Sequence, residues 1–252
     1  ISAESGIPPG VWNTVNGIGE TTGKAISEQE LIKAVALVGE STTGGHIMRQ
    51  GADTLKRVHF ELGGKNAAIV FSDADIDAAV QGVVRSVFSN SGQICLCTER
   101  VYVEQDIFDS FISKLTEAVR ALSFEESSGK SLTLGPLISR DQRDKVVSYF
   151  DLAIKEGATA IIGGAVPHFG DERDDGFYLQ PTVFTGVPKH SRFVREEIFG
   201  PVCHIEKFTT EEEVIAASND TSFGLAASIW TNDINVAHRV APQLSVGMVW
   251  IN

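Results

Sequence analysis

The sequence predicts an α/β fold on two observations. Short apolar runs of strand length alternate with segments whose apolar residues recur at helical spacing. Glycine, proline and Ser/Asn/Asp clusters punctuate most of the junctions. Strands that alternate with helices in this way are expected to build a mainly parallel sheet.

Taken in order, residues 17–24 (Gly-Ile-Gly-Glu-Thr-Thr-Gly-Lys) first suggest a phosphate loop. The dinucleotide fingerprint would need a third glycine where Thr22 stands. The phosphate loop of nucleotide hydrolases would need glycine and a hydroxyl residue where Ile18 and Ala25 stand. The segment therefore reads as a turn. Residues 35–38 are an apolar strand closed by Gly39, followed by a Gly/Thr-rich turn and a helix from 45 to about 55. Residues 67–71 form a second buried strand. Ser72, Asp73 and Asp75 supply capping oxygens for a helix whose apolar face is Ile76, Ala79, Val80, Val83, Val84 and Val87. That helix should stop at the breaker cluster 89–92.

Residues 101–103 read as a strand, and Phe108, Phe111, Ile112, Leu115 and Val119 mark one face of the next helix. The polar stretch 123–136 reads as a surface connection. Val146, Val147, Phe150 and Ile154 share a helical face, 158–162 is a strand ending at Gly163-Gly164, and the acidic stretch 165–178 reads as an exposed loop. Strands near 182–185, 202–208, 225–230 and 246–251 then alternate with helices over 210–218 and 232–241. No internal repeat and no low-complexity tract is visible.

Composition narrows the function classes. The chain has 252 residues, 42% of them hydrophobic, enough for one large or two small domains with a real core. Acidic residues outnumber basic ones 33 to 21, and a net charge of −12 argues against nucleic acid or an anionic membrane as partner. No apolar run approaches the roughly 20 residues of a membrane span. Three cysteines are too few for a disulfide framework, so a reducing, cytoplasmic setting is expected. The six histidines lack metal-ligand spacing, and Cys95-Leu96-Cys97 has no second pair, so no metal is expected. The chain starts on Ile1, and its last strand is cut off as it finishes, which reads as a piece of a longer protein.

Three segments could carry chemistry. Glu61 lies between Phe60 and Leu62-Gly63-Gly64, an apolar setting that would raise its pKa toward that of a general base. Cys95 follows a helix on the loop Ser89-Asn90-Ser91-Gly92-Gln93-Ile94, where backbone amides could hold a thiolate nucleophile. Glu196-Glu197-Ile198-Phe199-Gly200-Pro201 is the third. Each has a bland alternative: a surface carboxylate, a small buried thiol, a charged loop.

Together they resemble the aldehyde dehydrogenase superfamily. Phe60-Glu61-Leu62-Gly63-Gly64-Lys65 is similar to its glutamate signature. Gly92-Gln93-Ile94-Cys95 is similar to its cysteine signature, 34 positions further on. Glu197-Ile198-Phe199-Gly200-Pro201 resembles its cofactor-contacting segment, and Gly39-Glu40-Ser41-Thr42-Thr43-Gly44 its G-x-T-x-x-G loop. The resemblance runs through the chain in order. Around these motifs the sequence is most similar to the branch acting on muconic semialdehydes from aromatic ring cleavage.

The resemblance implies the end of a Rossmann-type cofactor domain over 1–63, then a three-layer α/β catalytic domain over 64–252. It implies that Cys95 attacks an aldehyde, hydride passes to NAD or NADP, and Glu61 activates the water that hydrolyses the thioester. Gly39, Glu40, Ser41, Gly44, Leu62, Glu197 and Phe199 are the implied cofactor residues. Here Val38 and Glu40 depart from the family's Phe-Thr-Gly-Ser-Thr loop: the first loses a hydroxyl, the second adds negative charge. The partner is a small aldehyde, and a homo-oligomer is implied. The family's members are about twice this length, so the 252-residue chain alone is expected to be inactive. Two other readings are a CoA-acylating relative, against which Glu61 argues, and a non-catalytic member, against which Cys95 and Glu61 both argue.

Overall fold

The computed structural model describes residues 4–124 and 132–252. The chain divides into two compact units, Ile1–Gly63 and Gly64–Asn252. Each follows its own packing logic.

In the first unit, a wide helical turn over Gly19–Gly23 runs into helix α1 (Lys24–Glu28). The segment read as a turn is therefore helical, despite its glycines. Strand β1 (Ala34–Val38), helix α2 (Ser41–Gly51) and strand β2 (Arg57–Glu61) form one parallel βαβ unit, with Val38 level with Glu61. Helix α2 starts at Ser41, four residues before the expected start, because Ser41, Thr42, Thr43 and Gly44 form its first turn. First-turn amides need no intrahelical acceptor, so poor helix formers are tolerated there. Strand β2 was not expected, since its polar and charged residues mask a weak alternation around Val58 and Phe60. Its neighbour Lys56 is buried and donates to the carbonyls of Gln29 and Ile32, at 2.7 and 2.9 Å, which ties α1 to the sheet.

The second unit holds a seven-stranded sheet. Its strands are β3 (Asn66–Val70), β4 (Thr98–Glu104), β5 (Thr159–Ile162), β6 (Thr182–Thr185), β7 (Val202–Phe208), β8 (Ala226–Trp230) and β9 (Met248–Ile251). Their spatial order is β5-β6-β7-β4-β3-β8-β9, parallel throughout except for the β5–β6 pair. Helices α3 (Ile76–Phe88), α4 (Phe108–Arg120), α5 (Arg140–Lys155), α6 (Arg192–Arg195), α7 (Glu211–Asn219) and α8 (Ile234–Val240) make the connections.

Side chains on β3 and β4 alternate between the two faces of this sheet. Ala68, Val70, Val101 and Val103 pack with α3 and α4 residues, including Val83, Val87, Phe111 and Leu115. Ala67, Ile69, Phe71 and Tyr102 pack on the other face with Val214 of α7 and Val240 of α8. Burying each such Val, Ile or Phe is worth about 1.5–3 kcal/mol. A third cluster joins α5 and α6 to Phe184 and Val202. The expected cap on α3 is Asp75, whose carboxylate accepts from Ala78 N–H at 3.1 Å.

Two details differ from expectation. Ile154 of α5 is exposed, and Tyr149 and Ala153 take the buried face with Val146 and Phe150. The connection 123–136 is not all surface: Leu134 is buried in the α3/α4 cluster, and Ser123 bridges Thr133. Residues 125–131 of that connection lie outside the described residues.

Candidate active site

The amino end of the second unit's sheet carries the loop of Cys95. After α3 the chain passes through three left-handed residues, Asn90, Ser91 and Gly92, with φ of 50°, 55° and 74°. Two of them are not glycine, so the turn is strained and must be held from outside. Ser91 Oγ donates to Gly135 O at 2.8 Å, and Gln93 Oε1 accepts from Ile138 N–H at 2.8 Å. A Cβ on Gly92 would fall 1.9 Å from Gly200 O, so only glycine fits. The loop then delivers Cys95 just ahead of β4.

Cys95 is partly exposed, whereas Cys97 and Cys203 are buried. Burial pushes the Cys97 and Cys203 thiols up to about 12, which keeps both as inert thiols at neutral pH. Cys97 Sγ instead donates to Ser89 O. The buried Asn66 fixes the loop: its amide donates to Cys95 O at 2.7 Å and Cys97 O at 2.8 Å, and its Oδ1 accepts from Ala226 N–H at 3.0 Å. Gly64 lies against the same loop, where a Cβ would come 2.7 Å from Cys95 O.

The third segment packs beside this loop. Glu197 Oε1 accepts from Gly64 N–H at 2.9 Å. Burial raises the Glu197 pKa, and that hydrogen bond opposes the rise. Phe199 adopts φ of 61°. Its N–H and that of Ile198 donate to the buried Glu99 carboxylate at 2.8 and 3.0 Å, and Gln142 Nε2 donates to both their carbonyls. Glu99 in turn pairs with the fully buried Lys65. Cys95, Glu197 and Phe199 are therefore joined through one network in the second unit.

The remaining implicated residues belong to the first unit. Gly39 N–H donates to Glu61 O at 3.0 Å, and Leu62 packs on Gly44, 3.1 Å from where a Cβ would sit. Glu40 caps α2 through its extended backbone alone, and its carboxylate is 3.4 Å from the Thr42 hydroxyl. Ser41 stands in the first turn. Glu61 is not in an apolar setting: its carboxylate is exposed, 3.8 Å from His59 Nε2. A cavity of about 720 Å³ opens beside α2, lined by Gly19, Gly23, Leu37, Thr43, His46 and Ile47 among others. The glycine segment dismissed as a plain turn thus forms one wall of it.

Asn66, Lys65 and Glu99, which hold the Cys95 loop and residues 198–199 in place, have no role that the sequence alone assigned. The available signal was polarity out of place: an Asn and a Lys opening an apolar strand, and a Glu beside another, each needing a buried partner. Among the described residues no cluster of potential ligands could hold a metal ion, and no helix is long and apolar enough to cross a membrane.

The aldehyde dehydrogenase family model matches residues 1–252. A 2-aminomuconic 6-semialdehyde dehydrogenase from a Pseudomonas species is 52% identical over 98% of this chain and 50% of its own length. A 2-hydroxymuconic semialdehyde dehydrogenase from Pseudomonas sp. strain CF600 is 47% identical over 98% of this chain and 51% of its own. Among solved structures, betaine aldehyde dehydrogenase from Staphylococcus aureus in complex with NAD+ superposes with a TM-score of 0.93 at 38% identity, covering 99% of this chain and 49% of that one. The chain spans about half the length of the curated relatives it matches. On the match along its full length and these identities, the chain belongs to the aldehyde dehydrogenase family.

Proposed function

We propose that the protein oxidises an aldehyde to a carboxylic acid through a covalent intermediate on Cys95. The observation that carries this reading is the contrast among the thiols. Cys95 alone is partly exposed, on a loop held by Asn66 and backbone strain, while the other two are buried. Cys95 Sγ gives its proton to solvent and attacks the carbonyl carbon as the thiolate, and the carbonyl π electrons move onto oxygen. The Cys95 N–H, which has no intrachain acceptor among the described residues, is available to that oxyanion. Loss of hydride from the carbon leaves a thioester. Glu61 takes a proton from water, the hydroxide adds to the acyl carbon, and the C–S bond breaks to release the acid and the thiolate.

NAD, when bound, supplies the hydride acceptor. The first unit suits such a dinucleotide: a parallel βαβ unit, a helix start with no side-chain cap, and a cavity beside it. Gly39, Ser41 and Gly44 would face its phosphates. Glu40 would stay outside, Leu62 and Phe199 would pack on the nicotinamide, and the Glu197 carboxylate would accept ribose hydroxyls. A muconic-type semialdehyde is the favoured substrate, because relatives named for such substrates are 46–52% identical, against 43% for a betaine aldehyde dehydrogenase of Brucella anthropi. A cytoplasmic homo-oligomer completes the reading.

The test uses the full-length protein with NAD and 2-hydroxymuconic semialdehyde. Cys95→Ser should reduce kcat at least about a thousandfold, the loss expected when a covalent nucleophile is removed. Cys97→Ser should stay within about threefold, as for a residue outside the chemistry. Full activity in Cys95→Ser would overturn the assignment. Turnover that required CoA would move the protein to the acylating class.

A further inference from the structure

The cofactor-facing segment is gripped by a buried charge pair whose cost needs a reason. Lys65 is fully buried and Glu99 nearly so. Burying two charges is expensive, and replacing such a pair with apolar residues is often neutral or stabilising. Lys65 binds one Glu99 oxygen and lies 5.6 Å from the Phe193 ring centroid, so it serves as the carboxylate's counter-ion. Glu99 spends its remaining capacity on backbone: Ile198 N–H reaches its two oxygens at 3.0 and 3.1 Å, and Phe199 N–H donates to one at 2.8 Å.

Those amides lead into the left-handed Phe199, a conformation that persists only where its surroundings over-determine it. Gln142 holds the same two residues from the carbonyl side, at 3.1 and 2.8 Å. Glu197, immediately before them, reaches back to Gly64, the residue next to Lys65. Lys65 and Asn66 are consecutive at the start of β3, and Asn66 holds the carbonyls of Cys95 and Cys97.

We propose that Glu99, with Lys65 as counter-ion, is a positioning residue that sets Glu197 and Phe199 for the nicotinamide ribose and ring in register with the Cys95 loop. This rests on the dehydrogenase reading above. The Glu99 carboxylate is occupied by Lys65 and by the amides of Ile198 and Phe199, so it acts through the backbone of residues 198–199.

The experiment compares two double variants of the full-length protein, since a single Glu99 change would strand the Lys65 charge. Lys65→Met/Glu99→Leu removes the acceptor but keeps the volume. Lys65→Met/Glu99→Gln returns one carbonyl oxygen to the amides. Amide hydrogen exchange at Ile198 and Phe199 is read without cofactor, and KM for NAD and kcat are read separately. The Leu variant should exchange at least about tenfold faster at those amides and raise KM for NAD about tenfold, with kcat changing less, as for one lost charge-assisted hydrogen bond. The Gln variant should recover both to within about threefold. Unchanged exchange in the Leu variant overturns the clamp, and faster exchange with unchanged KM overturns its link to the cofactor. A Gln variant no better than the Leu variant overturns the acceptor role. If wild-type protein has no NAD-dependent aldehyde turnover, the proposed reaction fails, while the exchange result still judges the clamp.

Discussion

The two units use the same strand–helix–strand grammar to opposite ends. In the second unit, all five residues of β3 are buried, and the sheet's two faces carry separate apolar clusters. In the first unit, neither strand has a buried residue, and alternate positions of β1 such as Val38 stand exposed. Parallel sheets are stable when both faces are covered. The second unit meets that condition with its own helices and can hold strained residues at the amino end of its sheet. The first unit offers backbone donors and an open cavity instead. Two-sided packing and the Cys95 loop belong to one; a ligand-sized opening belongs to the other.

This difference can be challenged by truncation at matched strand positions. Ile69→Ala in β3 should cost about 2–5 kcal/mol, the range for emptying a packed core site. Chemical denaturation of the full-length protein would measure it. Val38→Ala in β1, at 79% exposure, should stay within about 0.5 kcal/mol. Equal costs at the two positions would erase the contrast.

A smaller effect sharpens the picture of the second unit's core. His204 is fully buried beside Tyr102, its Nε2 has no hydrogen-bond partner among the described residues, and burial lowers its pKa from 6.5 to about 3. Below about pH 6.5 the unfolded chain takes up a proton that the folded state refuses. The unfolded state then binds more protons, so stability should fall as pH drops from about 6.5 toward 3, by up to about 1.4 kcal/mol per pH unit. His204→Phe should flatten that slope in denaturation experiments across the window. An unchanged slope would mean that the imidazole is charged or hydrated in the fold.

Much of the second unit was legible in the sequence, because two-sided burial imposes strong periodicity. Strands at 182–185 and 202–208 fall where their apolar runs stand. The α3 face from Ala79 to Val87 is the buried face. Where burial is one-sided or partial, the pattern weakened. Strand β2 hid among charged residues, and Ile154 was assigned to a face that its helix turns to solvent. At the site, Cys95, Glu197 and Phe199 stood out through family motifs that occupy short windows. Asn66 and Glu99 did not, and Lys65 stood in a motif with no role read for it, because their partners lie far away in sequence: Glu99 meets Ile198 across 99 positions. Spacing rules cannot reach that far; only the fold brings such groups together.

The most direct test of the Cys95 chemistry is to stall the reaction after hydride loss. Full-length Glu61→Gln protein, mixed with aldehyde and NAD and quenched in acid, would be digested and analysed by mass spectrometry. An acyl adduct should accumulate on the peptide carrying Cys95, require NAD, and vanish in Cys95→Ser/Glu61→Gln. An adduct on Cys97, or none while the aldehyde is consumed at the wild-type rate, would contradict a thioester on Cys95 resolved by Glu61.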